Sequence, residues 1–331
     1  MTTMSKETTS KGLRLPKLRA PWIGPMLAVA VLFGLFAIVA HDTFATTSTV
    51  VTMLRQTTVV GIAAVGMTLI IVLGGIDLSV GSAVALTTVS VALMLRGGHG
   101  AFAAAMAGIA TATVCGAVNG ALVGYLKFVP FIATLGTMSL LRGLGKGLAS
   151  EQKIDADPHG LESLLAPLPD GREWMLLPTG VWITVALAVL VAVLLRTTQA
   201  GRYVFAVGSS EPAARLYGIN VPRVQFGVFA LAGILVSWAG VLEFSRLTVG
   251  DPTDSVGLEL DVIAAVVIGG GSLSGGEGSV LGSVLGALLM TIIKTGCTHV
   301  GLPNWVQEIL TGVIIVVAVG LDRIRHREGS E

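Results

Sequence analysis

Charge is what this sequence has least of. Asp, Glu, Lys and Arg make up 12% of its 331 residues, roughly half the share found in a soluble domain. Aromatic residues are also scarce, at 5%. Only two cysteines occur, Cys115 and Cys297. Both lie in apolar runs, which excludes a disulfide framework and reads as reduced thiols. The five histidines, at 41, 99, 159, 299 and 326, are scattered without the spacing of metal ligands, so no metal is expected. A net charge of +1 gives no footing for nucleic acid. A phosphate-binding G-x-x-x-x-G-K-[ST] loop is missing too. The nearest candidate, Gly145-Lys146-Gly147, has Leu140 in place of the upstream glycine and no hydroxyl after the lysine. That absence disposes of an ATPase reading for Leu273-Ser274-Gly275-Gly276-Glu277, a run that imitates the signature loop of an ABC ATPase. No catalytic residues are expected in this chain.

What is present in abundance is apolar surface and glycine. Hydrophobic residues reach 53%, with 43 glycines, and the mean hydropathy is +0.83. Packed membrane helices have this composition, because small residues let their backbones approach closely. Ten apolar runs qualify as spans: 22–40, 56–73, 78–95, 101–125, 131–149, 176–195, 224–242, 258–268, 280–295 and 305–321. The first is long enough to cross a bilayer and carries no cleavage signal, so it reads as an uncleaved span. The eighth is about half a normal span and has Glu259 and Asp261 at its start, which suits a half-helix buried among others. The expectation is an all-α polytopic membrane protein of about ten transmembrane helices, some broken. Residues 1–21 form a basic tail, 22–321 the membrane domain and 322–331 a second tail. Five Lys/Arg stand in the first 21 residues, four Arg in 196–223, and six acids against two bases in 150–173. By the positive-inside rule both tails and the 196–223 loop are cytoplasmic, and 150–173 is external.

The stretch "LGGIDLSVG" at 73–81 echoes "IGGGSLSGG" at 268–276, offset by 195. Either this is an internal repeat, as transporter folds often carry, or it is coincidence in a glycine-rich chain. In both copies glycines (Gly74, Gly75; Gly269, Gly270) break one helix. Asp77 or Ser79 then caps the next helix in the first copy, and Ser272 or Ser274 in the second. Asp77 also reads as a polar group on a transport pathway. Gly116, Gly120 and Gly124 recur at four-residue spacing, as do Gly278, Gly282 and Gly286. Each set presents a face for close helix contact, either within the chain or against another subunit. Asn119 shares a span with the first set and serves as interhelical glue or as a ligand.

The segment "GRYVFAVGSSEPAARLYGINVPRV" (201–224) is long for a connection between spans. Ser209 or Ser210 can cap a short helix over 211–217, with Pro212 in its first turn and Gly218 at its end. Glu211 and Arg215 share a face. Such a helix is either plain surface or a dock for a cytosolic partner.

These residues carry a resemblance. Glu211-Pro-Ala213-Ala214-x-x-x-Gly218 is similar to the Glu-Ala-Ala…Gly coupling loop of ABC importer permeases, with Pro212 where Ala is usual. "GGIDLSVGS" (74–82), "NGALV" (119–123), "PFIATLGTMSLLRG" (130–143), "AARLYGINV" (213–221) and "ELDVIAAVVIGGGSLSGGEGSVLG" (259–282) resemble the ribose-type monosaccharide permeases, in order and from about 50 to 321. The resemblance implies a pathway formed by two permeases, a second copy or a sister chain, in the lipid bilayer. It further implies cytoplasmic ATPase subunits that hold ATP and Mg, and an exported sugar-binding protein. Glu211, Ala213, Ala214, Arg215 and Gly218 would couple to the ATPase. Asp77, Ser79, Asn119, Phe131, Thr134 and Ser274 are pathway candidates, with Phe128, Phe131 and Trp238 as possible aromatic faces for a sugar. The alternative is an ion-coupled secondary transporter, which needs paired ionisable groups at mid-membrane; Asp77, Glu243, Glu259 and Asp261 are its candidates, all near the ends of expected helices.

Overall fold

A computed structural model describes residues 22–168 and 173–328. The basic tail at 1–21, residues 169–172 of the acidic loop and the last three residues of the 322–331 tail lie outside the described residues. Helices α1 (Ile23–Val39), α2 (Thr47–Val72), α3 (Val80–Arg96), α4 (Ala101–Gly124), α5 (Pro130–Leu148) and α6 (Thr179–Thr197) form the first half. Next come α7 (Gln199–Ser209), α8 (Glu211–Leu216), α9 (Val221–Leu247), α10 (Leu258–Ile268), α11 (Val280–His299) and α12 (Asn304–Glu328). Two-residue strands β1 (Ile154–Asp155) and β2 (Val249–Gly250) pair antiparallel. All ten expected spans are helices. By length and composition α2, α4, α6, α9 and α11 can each cross a membrane. Helix α10 has 11 residues and covers about 16 Å at 1.5 Å per residue, half the hydrocarbon thickness.

The second half of α2, from Val59 on, is apolar on almost every side, and that places it at the centre. From Gly61 to Val72 every residue is buried, and α2 touches α6, α9, α10 and α11. Helices α4 and α9 pack backbone to backbone. A methyl group on Gly116 would sit 2.5 Å from the Phe229 carbonyl oxygen, and one on Gly233 would sit 2.9 Å from the Gly116 Cα. Gly120 and Gly124 meet Phe226 and Pro222 of the same helix. On α11, Gly282 and Gly286 lie against Gly269 and Ala265 at the end of α10 and just beyond it, while Gly278 lies against Val72. Both glycine faces are therefore filled by this chain's own helices. Of the two readings of these faces, close contact within the chain is the one observed.

The chain threads between two ends. At one end Val72 carbonyl accepts from Gly276 N–H at 2.9 Å, Gly208 of α7 touches Val72, and Thr134 donates to the Ile76 carbonyl at 3.1 Å. At the other, Thr43 meets His299 Nδ1 at 2.9 Å, β1 pairs with β2, and Leu165 N–H donates to Ser245 Oγ at 3.1 Å. The acidic segment is thus not a free loop. It is fastened to the α9–α10 connection by β1–β2 and by Lys153–Asp251 at 3.1 Å. Burial pushes the Asp251 carboxyl up, but hydrogen bonds from Thr253 and the Lys153 charge outweigh it and hold the group below its ordinary value.

The echoed turns share a geometry, with a shift. Gly74 and Gly75 N–H donate to Ile71 and Ile70 carbonyls, and Gly270 and Gly271 donate to Val267 and Val266. The left-handed residue is Gly74 in the first (φ +89°) and Gly270 in the second (φ +90°). The turns correspond at an offset of 196, one more than the sequence match, so Gly75 and Gly269 are not the conformationally demanding positions. At Gly74 and Gly270 a β-branched side chain is strongly disfavoured. Gly74→Val and Gly270→Val are each expected to cost about 1–3 kcal/mol and to lower the amount of folded protein recovered from membranes. Gly75→Val, at negative φ but within 3.3 Å of Ile70 and Pro130 side chains, serves as the packing comparison. Detergent-solubilised melting curves read all three.

The caps differ from expectation. Helix α11 is capped by Ser279, whose Oγ accepts from Gly282 N–H at 3.3 Å, and not by Ser272 or Ser274. The second copy holds extra residues between its turn and its helix, so the cap sits further along. Ser79 occupies the cap position of α3 but caps none of its N–H groups.

Candidate functional site

Three groups of residues stand out beyond packing. The first is a buried polar chain at the start of α3. Asp77 Oδ1 accepts from Ser79 N–H at 2.7 Å and from Ser79 Oγ at 2.6 Å. Ser79 Oγ accepts in turn from Asn119 Nδ2 at 2.9 Å. Asp77 is therefore a local turn-former, not a helix cap. Ser272 repeats the pattern in the second copy, with its Oγ accepting from Ser274 N–H at 3.3 Å. Asp77, Ser79, Asn119 and Thr134 are all buried, and the structure brings them to one place through α4 and the start of α5. Phe131 is on the exposed face of α5, and Ser274 is exposed in the second turn; neither joins them. Replacing Asp77 by Ala would leave the Ser79 N–H and hydroxyl without their acceptor in an apolar setting. The expected cost is about 1–3 kcal/mol, read as a lower midpoint in thermal unfolding of the purified chain.

The second group lies at the end where the two glycine turns meet. Thr198 caps α7 by accepting from Gly201 N–H at 3.1 Å, and Gly201, Val204 and Val207 form the buried face of α7. Its end abuts both turns: Gly208 touches Val72 and Gly276, and Ser209 touches Gly276. Ser210 then caps α8 by accepting from Ala213 N–H at 3.4 Å. Glu211 accepts from Arg215 Nε at 3.1 Å, the pairing their spacing suggested. Gly218 ends the helix at φ +80°. Ala214 is buried within this chain, so it belongs to the supporting face. Leu216 and Tyr217, 90% and 87% exposed, stand free beside Glu211 and Arg215. Helix α7 was not foreseen: the segment from 201 carries two helices, and the first ties α8 to both breaks.

The third group lines a cavity of about 540 Å3 toward the opposite end, among α2, α9, α10, α11 and α12. Glu243 pairs with Arg246 one turn along α9, and Asp261 of α10 pairs with Lys294 of α11. Gln56 Oε1 accepts from Thr295 Oγ at 3.4 Å, and Gln307 Nε2 donates to Thr298 Oγ at 3.3 Å. Arg142 of α5 donates to the carbonyls of Pro252 and Asp254 at 3.1 and 2.7 Å, fixing the turn before α10 that forms one wall. None of the six expected pathway residues lines this cavity, nor do Phe128, Phe131 and Trp238. The sequence offers Glu243 and Asp261 only as candidate groups of an ion-coupled transporter, not as partners of Arg246 and Lys294.

A many-helix membrane bundle with paired helix breaks under a short outlying helix defines a polytopic membrane transport protein. The chain belongs to the family described as the permease component of the branched-chain amino acid transport system, which matches residues 49–319. It is 38% identical over 309 residues to the ribose import permease protein RbsC of Escherichia coli (strain K12), covering 91% of this chain and 94% of that one. The ribose import permease protein RbsC of Bacillus subtilis (strain 168) is 38% identical over 303 residues, 91% of this chain and 92% of the other. The autoinducer 2 import system permease protein LsrC of Photorhabdus luminescens is 32% identical over 300 residues, 91% and 89% of the two chains. No solved structure matches this chain.

Proposed function

We propose that this chain is the membrane subunit of an ATP-driven importer that carries a monosaccharide across a bacterial cell membrane. The observation that carries the reading is the match, along nine-tenths of the chain, to permeases named for ribose import. In the same assembly stand a second copy or sister permease, cytoplasmic ATPase subunits that hold ATP and Mg, and an exported sugar-binding protein. The chain itself holds no cofactor and catalyses no reaction. Both termini and 196–223 face the cytoplasm, and 150–173 faces outside. Helix α8 is the dock for the ATPase. Glu211, Arg215, Leu216 and Tyr217 form its contact face, Ala213 and Ala214 keep it slim, and Gly218 turns the chain back toward the membrane. Through α7, movement of α8 reaches Val72, Gly208 and Gly276 at once, and so both broken helices.

The competing reading is an ion-coupled secondary transporter, with Asp77, Glu243, Glu259 and Asp261 as its candidate groups. Glu243 and Asp261 are each held by a base, Asp77 is held by Ser79, and Glu259 Oε2 is buried without a hydrogen-bond partner. What favours the importer is the match to import permeases.

Orientation is checked by cysteine labelling after replacement of Cys115 and Cys297. Asp157→Cys is expected to react with an impermeant thiol reagent added outside intact cells. Ser209→Cys, also exposed in the structure, is expected to react only after the membrane is opened. The reverse pattern would invert the topology and remove α8 from the ATPase side.

A further inference from the structure

The buried polar chain at the start of α3 carries a charge that its turn does not require. Asp77 Oδ1 accepts from Ser79 N–H, two residues on. In the second copy Ser272 Oγ accepts from Ser274 N–H in the same way, so a neutral hydroxyl can serve in this turn. An acid in its place brings a negative charge among side chains that exclude water: Asp77 is 6% exposed, Asn119 1% and Thr134 0%. Among the described residues no lysine, arginine or histidine pairs with Asp77. The side chains that donate to its carboxylate are those of Ser79 and Asn119, both neutral. The N-terminus of α3 offers only about half an elementary charge. A carboxylate buried this way calls for a counter-charge.

A second observation points to the same need. Asn119 Oδ1 is buried without a hydrogen-bond partner, while Nδ2 of the same amide donates to Ser79 Oγ at 2.9 Å and reaches Asp77 Oδ2 at 3.5 Å. A proton on Asp77 does not answer both. On Oδ2 it would point at the Nδ2 donor and leave Oδ1 unpaired. With the amide turned over, Oδ1 would accept that proton and Nδ2 would be left over instead. A water would satisfy Oδ1 but not the charge. A small cation answers both, since carboxylate and amide oxygens are ligands of hard cations. Among the described residues no cluster of His, Cys, Asp and Glu suits a transition metal, and a single carboxylate sets the cation's charge at +1. Mg2+ would leave excess positive charge in the same enclosed place, and it dehydrates reluctantly.

We propose that Asp77 Oδ2 and Asn119 Oδ1 hold an alkali-metal cation, sodium or potassium, that ties the start of α3 to α4. The ion is a fixed part of the fold, neither cargo nor a driving ion, because buried side chains enclose it. It braces the turn that begins just beyond Val72, where Gly208 of α7 and Gly276 meet α2. The proposal stands apart from the importer reading, since a resident ion stabilises the chain whatever drives transport.

The test uses the full chain in lipid nanodiscs, exchanged into choline chloride. Equilibrium binding of radioactive sodium, and of radioactive rubidium as the stand-in for potassium, is measured beside the thermal unfolding midpoint at constant ionic strength. At least one of the two ions is expected to bind saturably, one per chain. At a hundred times its dissociation constant it favours the folded state about a hundredfold and raises the midpoint by about 5 °C. Choline is expected to do neither. Asp77→Asn keeps an oxygen to accept from Ser79 but removes the charge. It is expected to fold, to bind neither ion, and to melt at the same temperature in sodium, potassium and choline. Asp77→Ser, which copies Ser272 of the second turn, is expected to behave alike and stands in if the asparagine variant does not fold. Asn119→Ala is expected to weaken binding of the same ion. No saturable binding of either ion, or undiminished binding by the Asp77 variants, would overturn the site. A midpoint that follows pH but is indifferent to sodium and potassium would overturn it too, and would make the occupant a proton.

Discussion

A chain carrying Leu216→Asp and Tyr217→Asp is expected to reach the membrane at the normal level, to lose sugar uptake and to come away from membranes without its ATPase. Both side chains are almost wholly exposed, so their loss removes little from this chain's own fold. Their exposure is anomalous for large apolar groups outside a bilayer, and the proposed ATPase dock would cover them. Helix α8 holds them rigidly, through the Ser210 cap, the Glu211–Arg215 pair and the buried Ala214. Aromatic and aliphatic anchors of this kind contribute about 2 kcal/mol each to association when they seat centrally. Losing both would weaken docking by about a thousandfold, at 1.4 kcal/mol per factor of ten. Gly218→Glu should act in the same direction. It adds strain of about 1–2 kcal/mol at a left-handed position to a charge at the edge of the contact. Co-purification of the ATPase and stimulated ATP hydrolysis are the two readouts. Intact co-purification with the double variant would show that the dock lies elsewhere.

The second large effect is structural. Gly286→Leu is expected to yield no assembled protein, because even the first carbon of the new side chain would overlap the Ala265 carbonyl oxygen. Helix α10 is short and cannot retreat, since Gly282 fits against Gly269 one turn away and Asp261 is tied to Lys294. Overpacking by a whole side chain at such a contact costs about 3 kcal/mol or more. Gly34→Leu on α1, with open space at its Cα, is the matched change expected to be tolerated. Membrane yield and gel-filtration profile distinguish them; equal yields would mean that α10 and α11 do not pack as closely as described.

The spans were legible because a run of apolar residues says the same thing whatever surrounds it. The short helix at α8 was legible for a related reason: Ser210, Pro212 and Gly218 act locally, through a cap, a fixed φ and a left-handed turn. Helix α7 was missed although Thr198 followed by Gly201, Val204 and Val207 carried its cap and its buried face. Its length is that of a surface helix, and attention to spans passes over it. The internal echo was visible, but its register was not. Identity matching aligned Gly74 with Gly269, whereas the backbone hydrogen bonds align Gly74 with Gly270, and only the latter reveals which glycine must be left-handed. The cavity was the least legible part. Gln56 and Thr295 stand 239 residues apart, and no local pattern announces that five helices bring them together. At Asp77 the acid was visible but not its partner: it accepts from Ser79 N–H and Oγ and forms a turn in place of the expected helix cap.

Co-reconstitution into liposomes with the ATPase and the exported binding protein tests the central claim most directly. Accumulation of labelled D-ribose and other neutral monosaccharides is expected to require ATP inside the appropriate compartment and the binding protein outside. It is also expected to persist when ionophores dissipate proton and sodium gradients. Accumulation that needs no ATP and collapses with an ion gradient would contradict the account and establish an ion-coupled transporter instead.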